Sequence, residues 1–255
     1  MFRNLFGEDP VRSAAEIESS HATDAQRRER LLIAVGLATQ TVPVAADRIR
    51  LEDLASGAGV SAAKLRRGGV DATLIKNAGV SFGALVEMVY GARAGAAMCR
   101  SAPEVVGADL RDLGITASDL DDASMHEFFM AAIENLGAVG LGKSLMQSPK
   151  DAVAIARHPE LGLTLPETIA GCEQDGEAVC EVLLETRRLR VKANALLPPT
   201  MIQYETNIFH GLDLNLLLKH GVTRKLLEKA GFIYSDLVEM NGVNSETMGE
   251  LGYAF

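Results

Sequence analysis

The chain has 255 residues, a net charge of -9 and 47% hydrophobic residues, enough apolar material for a packed core and too much for a disordered chain. Its acidic balance, 34 Asp+Glu against 25 Lys+Arg, argues against nucleic acid as the main partner, because phosphate recognition needs a basic face. Three cysteines (Cys99, Cys172, Cys180) cannot build a disulfide framework and point to a reducing, intracellular compartment, with an organellar or virion assembly also compatible.

The opening MFRNLFGEDP carries Phe2, Leu5 and Phe6 before a break at Gly7 and Pro10. It reads as an arm that docks on a partner or on the chain's own body, or as a frayed end. The longest apolar run, Leu31 to Ala46, contains Gln40, two threonines and Pro43. It falls short of the roughly 20 apolar residues of a membrane span, and its position behind an acidic stretch argues against a secretory signal. An amphipathic or buried helix is expected over 24–38.

Residues 58–87 then read AGVSAAKLRR, GGVDATLIKN, AGVSFGALVE. Gly recurs at 59, 69 and 79, each followed by Val60, Val70 and Val80. A large aliphatic residue follows five later, at Leu65, Ile75 and Leu85. The pattern returns around Leu110, Gly114, Ile115 and Leu120. It returns again at the C-terminus with Gly221, Gly231, Gly242 and Gly252, where one interval is eleven residues rather than ten.

Apolar residues every five positions turn about 140° per step on a continuous helix and form no stripe. On a strand they alternate faces. The chain must therefore turn inside each unit. Ser61, Asp71, Ser81, Thr116 and Thr223 stand where a helix N-cap is needed. Helix-forming runs such as AAKLRR follow, and each Gly stands where a left-handed residue closes the helix. The prediction is an all-α fold: short stacked helices in solenoid-like repeat blocks around a central helical region, each helix too short to persist alone. A pentapeptide-type β-helix is the alternative, since small residues stand two before several of the apolar ones; the Asp or Asn expected before the central apolar residue is missing. By pattern the units resemble the short A-G-[VF]-[ST]-x-x-x-L-x-x arrays of some protist, bacterial and large-virus proteins. That resemblance covers 80 to 100 residues in two blocks and implies an interaction surface rather than a reaction.

Between the blocks, MHEFFMAAIENL (125–136) has the spacing of a buried helix. Ser148-Pro149 and Leu165-Pro166-Glu167 open two more. Residues 175–192 form a long amphipathic helix with Val179, Val182, Leu183 and Leu189 on its apolar face, and Pro198-Pro199 ends any helix that reaches them. The organisation expected is an N-terminal arm and helix (1–50), a first repeat block (51–124), a central helical region (125–205) and a C-terminal repeat block (206–255). No linker-like composition separates them, so one continuous helical body fits as well as two domains.

One segment carries a chemical motif. Gly137 to Ser144, GAVGLGKS, matches G-x-x-x-x-G-K-[ST], in which backbone N–H groups cradle phosphates, Lys pairs with phosphate oxygens and Ser holds Mg²⁺. Its context opposes that role, because a helix rather than a strand precedes it and Pro149 follows closely. Gly137, Gly142, Lys143 and Ser144 are thus a weak alternative cofactor site beside the expected Gly-rich helix end and loop. The five histidines lack metal-ligand spacing. His220, just before Gly221, reads as a helix C-terminal residue. DLDD (119–122) and TRRLRVK (186–192) read as solvated faces, the latter also suited to the acidic surface of another subunit.

No catalytic residue, metal or cofactor is expected. The function anticipated is a non-catalytic scaffold or linker subunit that binds other proteins of a larger assembly. The alternatives are a nucleotide-binding protein using residues 137–144 and a transient peptide-binding repeat module. The C-terminal LGYAF, with Tyr253 and Phe255, lacks a polar cap and is expected to be covered by a partner or by the chain itself.

Overall fold

Each recurring glycine sits in the left-handed region. Gly59, Gly69, Gly79, Gly114, Gly221, Gly231, Gly242 and Gly252 all have φ between +62° and +99° in the computed structural model, which describes residues 57–195 and 208–253. The five-residue spacing has a backbone cause. The N–H of the residue after the glycine donates to the carbonyl of the mid-unit aliphatic residue five earlier: Val70 to Leu65 (3.0 Å), Val80 to Ile75 (3.0 Å), Ile115 to Leu110 (3.0 Å), Val222 to Leu217 (3.1 Å), Phe232 to Leu227 (2.9 Å) and Tyr253 to Met248 (2.9 Å). The glycine N–H donates to the next carbonyl, as Gly69 does to Arg66 at 3.0 Å. This is the Schellman closure, in which the two apolar residues that bracket the turn touch each other. Both members of each pair named are buried. Apolar residues five apart therefore reach one core without sharing a helix face.

Among the described residues there are fourteen α-helices and no strand, so the β-helix alternative falls. They are α1 (Ala62–Arg67), α2 (Ala72–Ala78), α3 (Phe82–Tyr90), α4 (Gly95–Ser101), α5 (Pro103–Asp112), α6 (His126–Leu136), α7 (Ala138–Leu145), α8 (Pro149–Ala156), α9 (Leu165–Ala170), α10 (Gly176–Ala195), α11 (Leu214–Lys219), α12 (Arg224–Lys229), α13 (Tyr234–Leu237) and α14 (Ser245–Leu251). Short 3₁₀ helices fill Ala117–Asp121, Ala123–Met125 and Pro159–Leu161. None of these helices is long and apolar enough to cross a membrane.

The caps follow the sequence. Asp71 accepts from Leu74 N–H (2.9 Å), Ser81 from Ala84 N–H (3.2 Å), and Thr223 from Leu226 N–H (3.5 Å), each such cap contributing about 1 kcal/mol. Ser148 caps α8 ahead of Pro149, and Thr164 with Glu167 forms a reciprocal capping box on α9. The unit after Gly114 departs from the α-helix expected there: Thr116 and Asp119 cap only the 3₁₀ turn 117–121.

The short helices do not rest mainly on the next unit. The main packing partner of α1 is α5, and α3 packs on α4 and α6. In the C-terminal block α12 packs on α10, while α11 packs on the distant α14. Two cores result. One gathers residues from Val60 to Leu161 and the other from Ala152 to Tyr253. Helix α8 serves both, with Ala154 and Ile155 in the first core and Ala152 and Val153 in the second. The central region is thus divided between the two repeat blocks: α6 and α7 complete the first core, α9 and α10 the second.

Two close approaches lock the blocks in place. A Cβ at Gly59 would stand 2.8 Å from backbone atoms of Val89, Tyr90 and Gly91, and one at Gly176 only 2.3 Å from the Gly221 carbonyl oxygen. His220 is buried (6% exposed) and its Nδ1–H donates to the Glu173 carbonyl, pinning the turn before α10. It closes α11 as the C-cap, the helix-end place expected of it, and also ties that end to the 173–175 turn. Residues 1–56, 196–207, 254 and 255, and with them the N-terminal arm, the 24–38 helix, Pro198-Pro199 and Phe255, lie outside the described residues.

Candidate interaction surface

The phosphate-loop motif is a helix. Residues Ala138–Leu145 form α7, opened by Gly137, with Leu141 N–H donating to the Gly137 carbonyl at 3.0 Å. Its backbone donors face along the helix axis instead of lining a cradle, which corrects both the loop expected over this segment and the phosphate-binding alternative for Gly137, Gly142, Lys143 and Ser144. The motif residues have packing roles. Gly142 admits Leu163, whose Cδ1 would lie 2.1 Å from an added Cβ. Ser144 is buried against Gly107, where α5 and α7 cross. Arg111 donates to the Ser144 carbonyl, and the Tyr90 hydroxyl donates to Asp109, tying α3 to α5. Lys143 pairs with Glu167 at 2.8 Å. That lysine, then the Thr164 N–H and hydroxyl, hold the Glu167 carboxyl down at about 2.

The acidic run 119–122 is a fastening point and not a purely solvated face. Lys76 of α2 lies 2.7 Å from Asp119 and 3.0 Å from Asp122. Asp122 is held at about 2, first by the Ser124 hydroxyl and then by Lys76. Asp121 receives Arg157 Nη1 at 3.2 Å and His158 Nε2 at 3.2 Å, while Arg157 Nε reaches Glu185 of α10 at 3.2 Å. The 117–121 turn is thereby joined to the junction helix α8 and to α10. These ionic groups are spent on structure.

The thiols are not nucleophiles. Cys99, Cys172 and Cys180 are free and buried. Burial pushes Cys172 up to about 12 and Cys180 up to about 11, so neither is a thiolate near neutral pH.

What the surface offers instead is apolar. In the unit after Gly231 the N-cap position, polar in the other capped units, is Ile233, which is 62% exposed. With no side-chain oxygen there, Asp236 reaches back to the Ile233 N–H (2.8 Å), and α13 runs only four residues. Tyr234 and Val238 are also exposed, at 43% and 49%. The inward half of the unit is orthodox: Phe232 is buried edge-on to Phe209 (5.0 Å) and lies beneath the Arg187 guanidinium (5.5 Å). Tyr253 is covered by the chain itself, packed on Tyr234 (5.6 Å) and under Arg224 (5.0 Å). The sequence signal for this patch is an isoleucine where Ser, Asp, Thr or Asn stands in other units; the periodicity of the buried positions does not include it.

A second feature lies along α10. A groove of about 170 Å³ between α10 and α12 is lined by Glu177, Cys180, Glu181, Leu184, Leu226, Lys229 and Ala230. Lys229 pairs with Glu177 at 3.1 Å across its rim. Leu184 is 38% and Val191 56% exposed. Of TRRLRVK, Arg187 covers Phe232 and Arg188 lies 3.6 Å from Glu185, so the segment is a partly engaged helix face. No known protein family, no curated protein and no solved structure matches this chain.

Proposed function

We propose that this chain is a non-catalytic scaffold or linker subunit that holds other proteins in a multi-subunit assembly. One observation carries the reading: Ile233 stands exposed at an N-cap position that is Ser, Asp, Thr or Asn in the other units, with Tyr234 and Val238 exposed beside it at the two ends of α13. Tyr234 shields Tyr253, but a folded chain gains nothing by wetting Ile233 and Val238, and exposed apolar patches mark contact surfaces. The repeat sharpens the argument, because the same backbone unit elsewhere opens its helix with Ser, Asp, Thr or Asn at the Ile233 position. The fold does not require an apolar residue at the Ile233 position, and contact with another protein accounts for one. The ionic groups support the same reading, since those around Asp119–Asp122 and Lys143 are consumed in joining helices.

The test is native purification of tagged wild-type chain and of the Ile233→Ser/Val238→Ser variant from the source cell. The wild type is expected to retain a defined, stoichiometric set of proteins that the variant loses while keeping its helical circular dichroism. A wild-type chain that carries no stoichiometric protein, or a set that the variant retains in full, overturns the assignment.

A further inference from the structure

We infer that a second copy of this chain docks antiparallel along the solvent face of α10, forming a two-fold dimer. The inference deepens the scaffold reading by naming one partner, and it rests on α10 rather than on the α13 patch.

Helix α10 is 20 residues long, about 30 Å of rod, and its two sides differ. Val179, Val182 and Leu183 are fully buried in the second core. On the opposite side Glu177, Glu181, Leu184, Arg188 and Val191 are exposed. Their spacing of 4, 3, 4, 3 places them on one face of the rod, and two of them, Leu184 and Val191, are large apolar side chains left in solvent.

Charge along that seam is split by halves. The N-terminal half carries Glu177 and Glu181, with Glu185 beside them; the C-terminal half carries Arg188, with Lys192 beside it. A parallel partner would set acid on acid. An antiparallel copy related by a two-fold near the helix centre sets each acidic half on the other copy's basic half, which is the self-complementarity an isologous interface needs. Glu181 then comes within reach of the partner copy's Arg188, and the two Leu184 side chains meet near the axis.

The groove supplies the remaining fit. It lies at the acidic end, with Cys180, Leu226 and Ala230 as apolar floor and Glu177, Glu181 and Lys229 at the rim. The antiparallel arrangement brings Val191 of the other copy over this end, so the most exposed apolar residue of α10 meets its apolar hollow. The existing pairs Glu185–Arg188 and Glu177–Lys229 involve strongly exposed cations. They contribute little to the single chain and rearrange readily.

Sedimentation equilibrium of the full chain across a concentration series is expected to give twice the 27.2 kDa chain mass. Glu181→Arg or Arg188→Glu alone is expected to weaken the dimer at least about tenfold, and the Glu181→Arg/Arg188→Glu double exchange to restore it. Leu184→Cys, next to the axis, is expected to give a disulfide-linked dimer on mild oxidation. Circular dichroism of each variant checks that the fold persists. A wild-type chain monomeric throughout, single reversals without effect, a double exchange that fails to rescue, or a Leu184→Cys chain that does not cross-link overturns the arrangement. A monomeric chain that still retains partners through Ile233 and Val238 refutes this inference and leaves the scaffold reading standing; loss of those partners with the dimer intact does the reverse.

Discussion

Gly79→Ala and Gly140→Ala are the same chemical change with opposite expected signs. Gly79 closes α2 with φ +62° and ψ +41°, and a Cβ added there meets nothing within 4 Å. The whole cost is conformational. Holding alanine in the left-handed region costs about 1–2 kcal/mol, and the restricted unfolded chain returns about 0.4–1 kcal/mol, leaving a net loss of about 1 kcal/mol. Gly140 lies inside α7, also with open space around an added Cβ, so alanine there is expected to stabilise by about 0.5–1 kcal/mol. Gly59→Ala adds a clash to the strain, because the new Cβ lies 2.8 Å from three backbone atoms that no side-chain rotation can clear. Its loss is expected to reach about 3 kcal/mol. Thermal melts followed by far-ultraviolet circular dichroism read these as shifts of about 2–4 °C per kcal/mol. If Gly79→Ala and Gly140→Ala shift the melt in the same direction, the glycines do not act through left-handed closure and the account of the repeat is wrong.

Two further outcomes follow from individual groups. Asp122, whose carboxyl is lowered from 3.8 to about 2, makes a contribution that is full above its unfolded value and lost as pH falls through about 2. Lys76→Met is expected to move its midpoint, followed by carboxyl ¹³C NMR, upward but not back to 3.8, because the Ser124 hydroxyl at 2.7 Å remains; an unmoved midpoint refutes the Lys76 pairing. The Tyr253 hydroxyl is buried without a hydrogen-bond partner among the described residues. Tyr253→Phe is therefore expected to leave stability unchanged or raise it by up to about 1 kcal/mol in urea unfolding, a loss above that size showing that the hydroxyl is satisfied.

Much of the helical frame was legible because each signal was local. Asp71, Ser81, Thr223 and Ser148 cap helices because a short oxygen-bearing side chain reaches the N–H three residues on, whatever surrounds it. The left-handed glycines were legible for the same reason. Tertiary placement was not. Successive units were expected to lean on one another, yet α11 packs on α14 and α12 on α10; nothing in a ten-residue pattern states which distant helix receives its apolar side. The 137–144 motif is a case where context outweighs pattern: the helix before it and Pro149 after it argue against a phosphate loop, and its glycines and serine serve packing, with Leu163 against Gly142 and Ser144 seated on Gly107.

The eleven-residue interval shows how the array closes on itself. Where Leu237 to Gly242 has one residue more than its counterparts, the usual six-residue closure is replaced. Asn241 N–H donates to the Leu212 carbonyl (2.9 Å), and Leu214 N–H donates to the Asn241 carbonyl (2.9 Å). The Asn241 side chain adds a bond to the Gly211 carbonyl at 3.0 Å. The extra residue thus joins the third turn of the C-terminal block to the start of the first, beside the packing of α14 on α11. An open solenoid would leave its last unit wet and would need a polar cap. A block fastened across its own ends covers its last unit, and Tyr253 is buried there beneath Tyr234 and Arg224. Closure also fixes where contact surface remains: with the ends joined, the outward side of α13 and the wet seam of α10 are the places where this block still presents large apolar side chains.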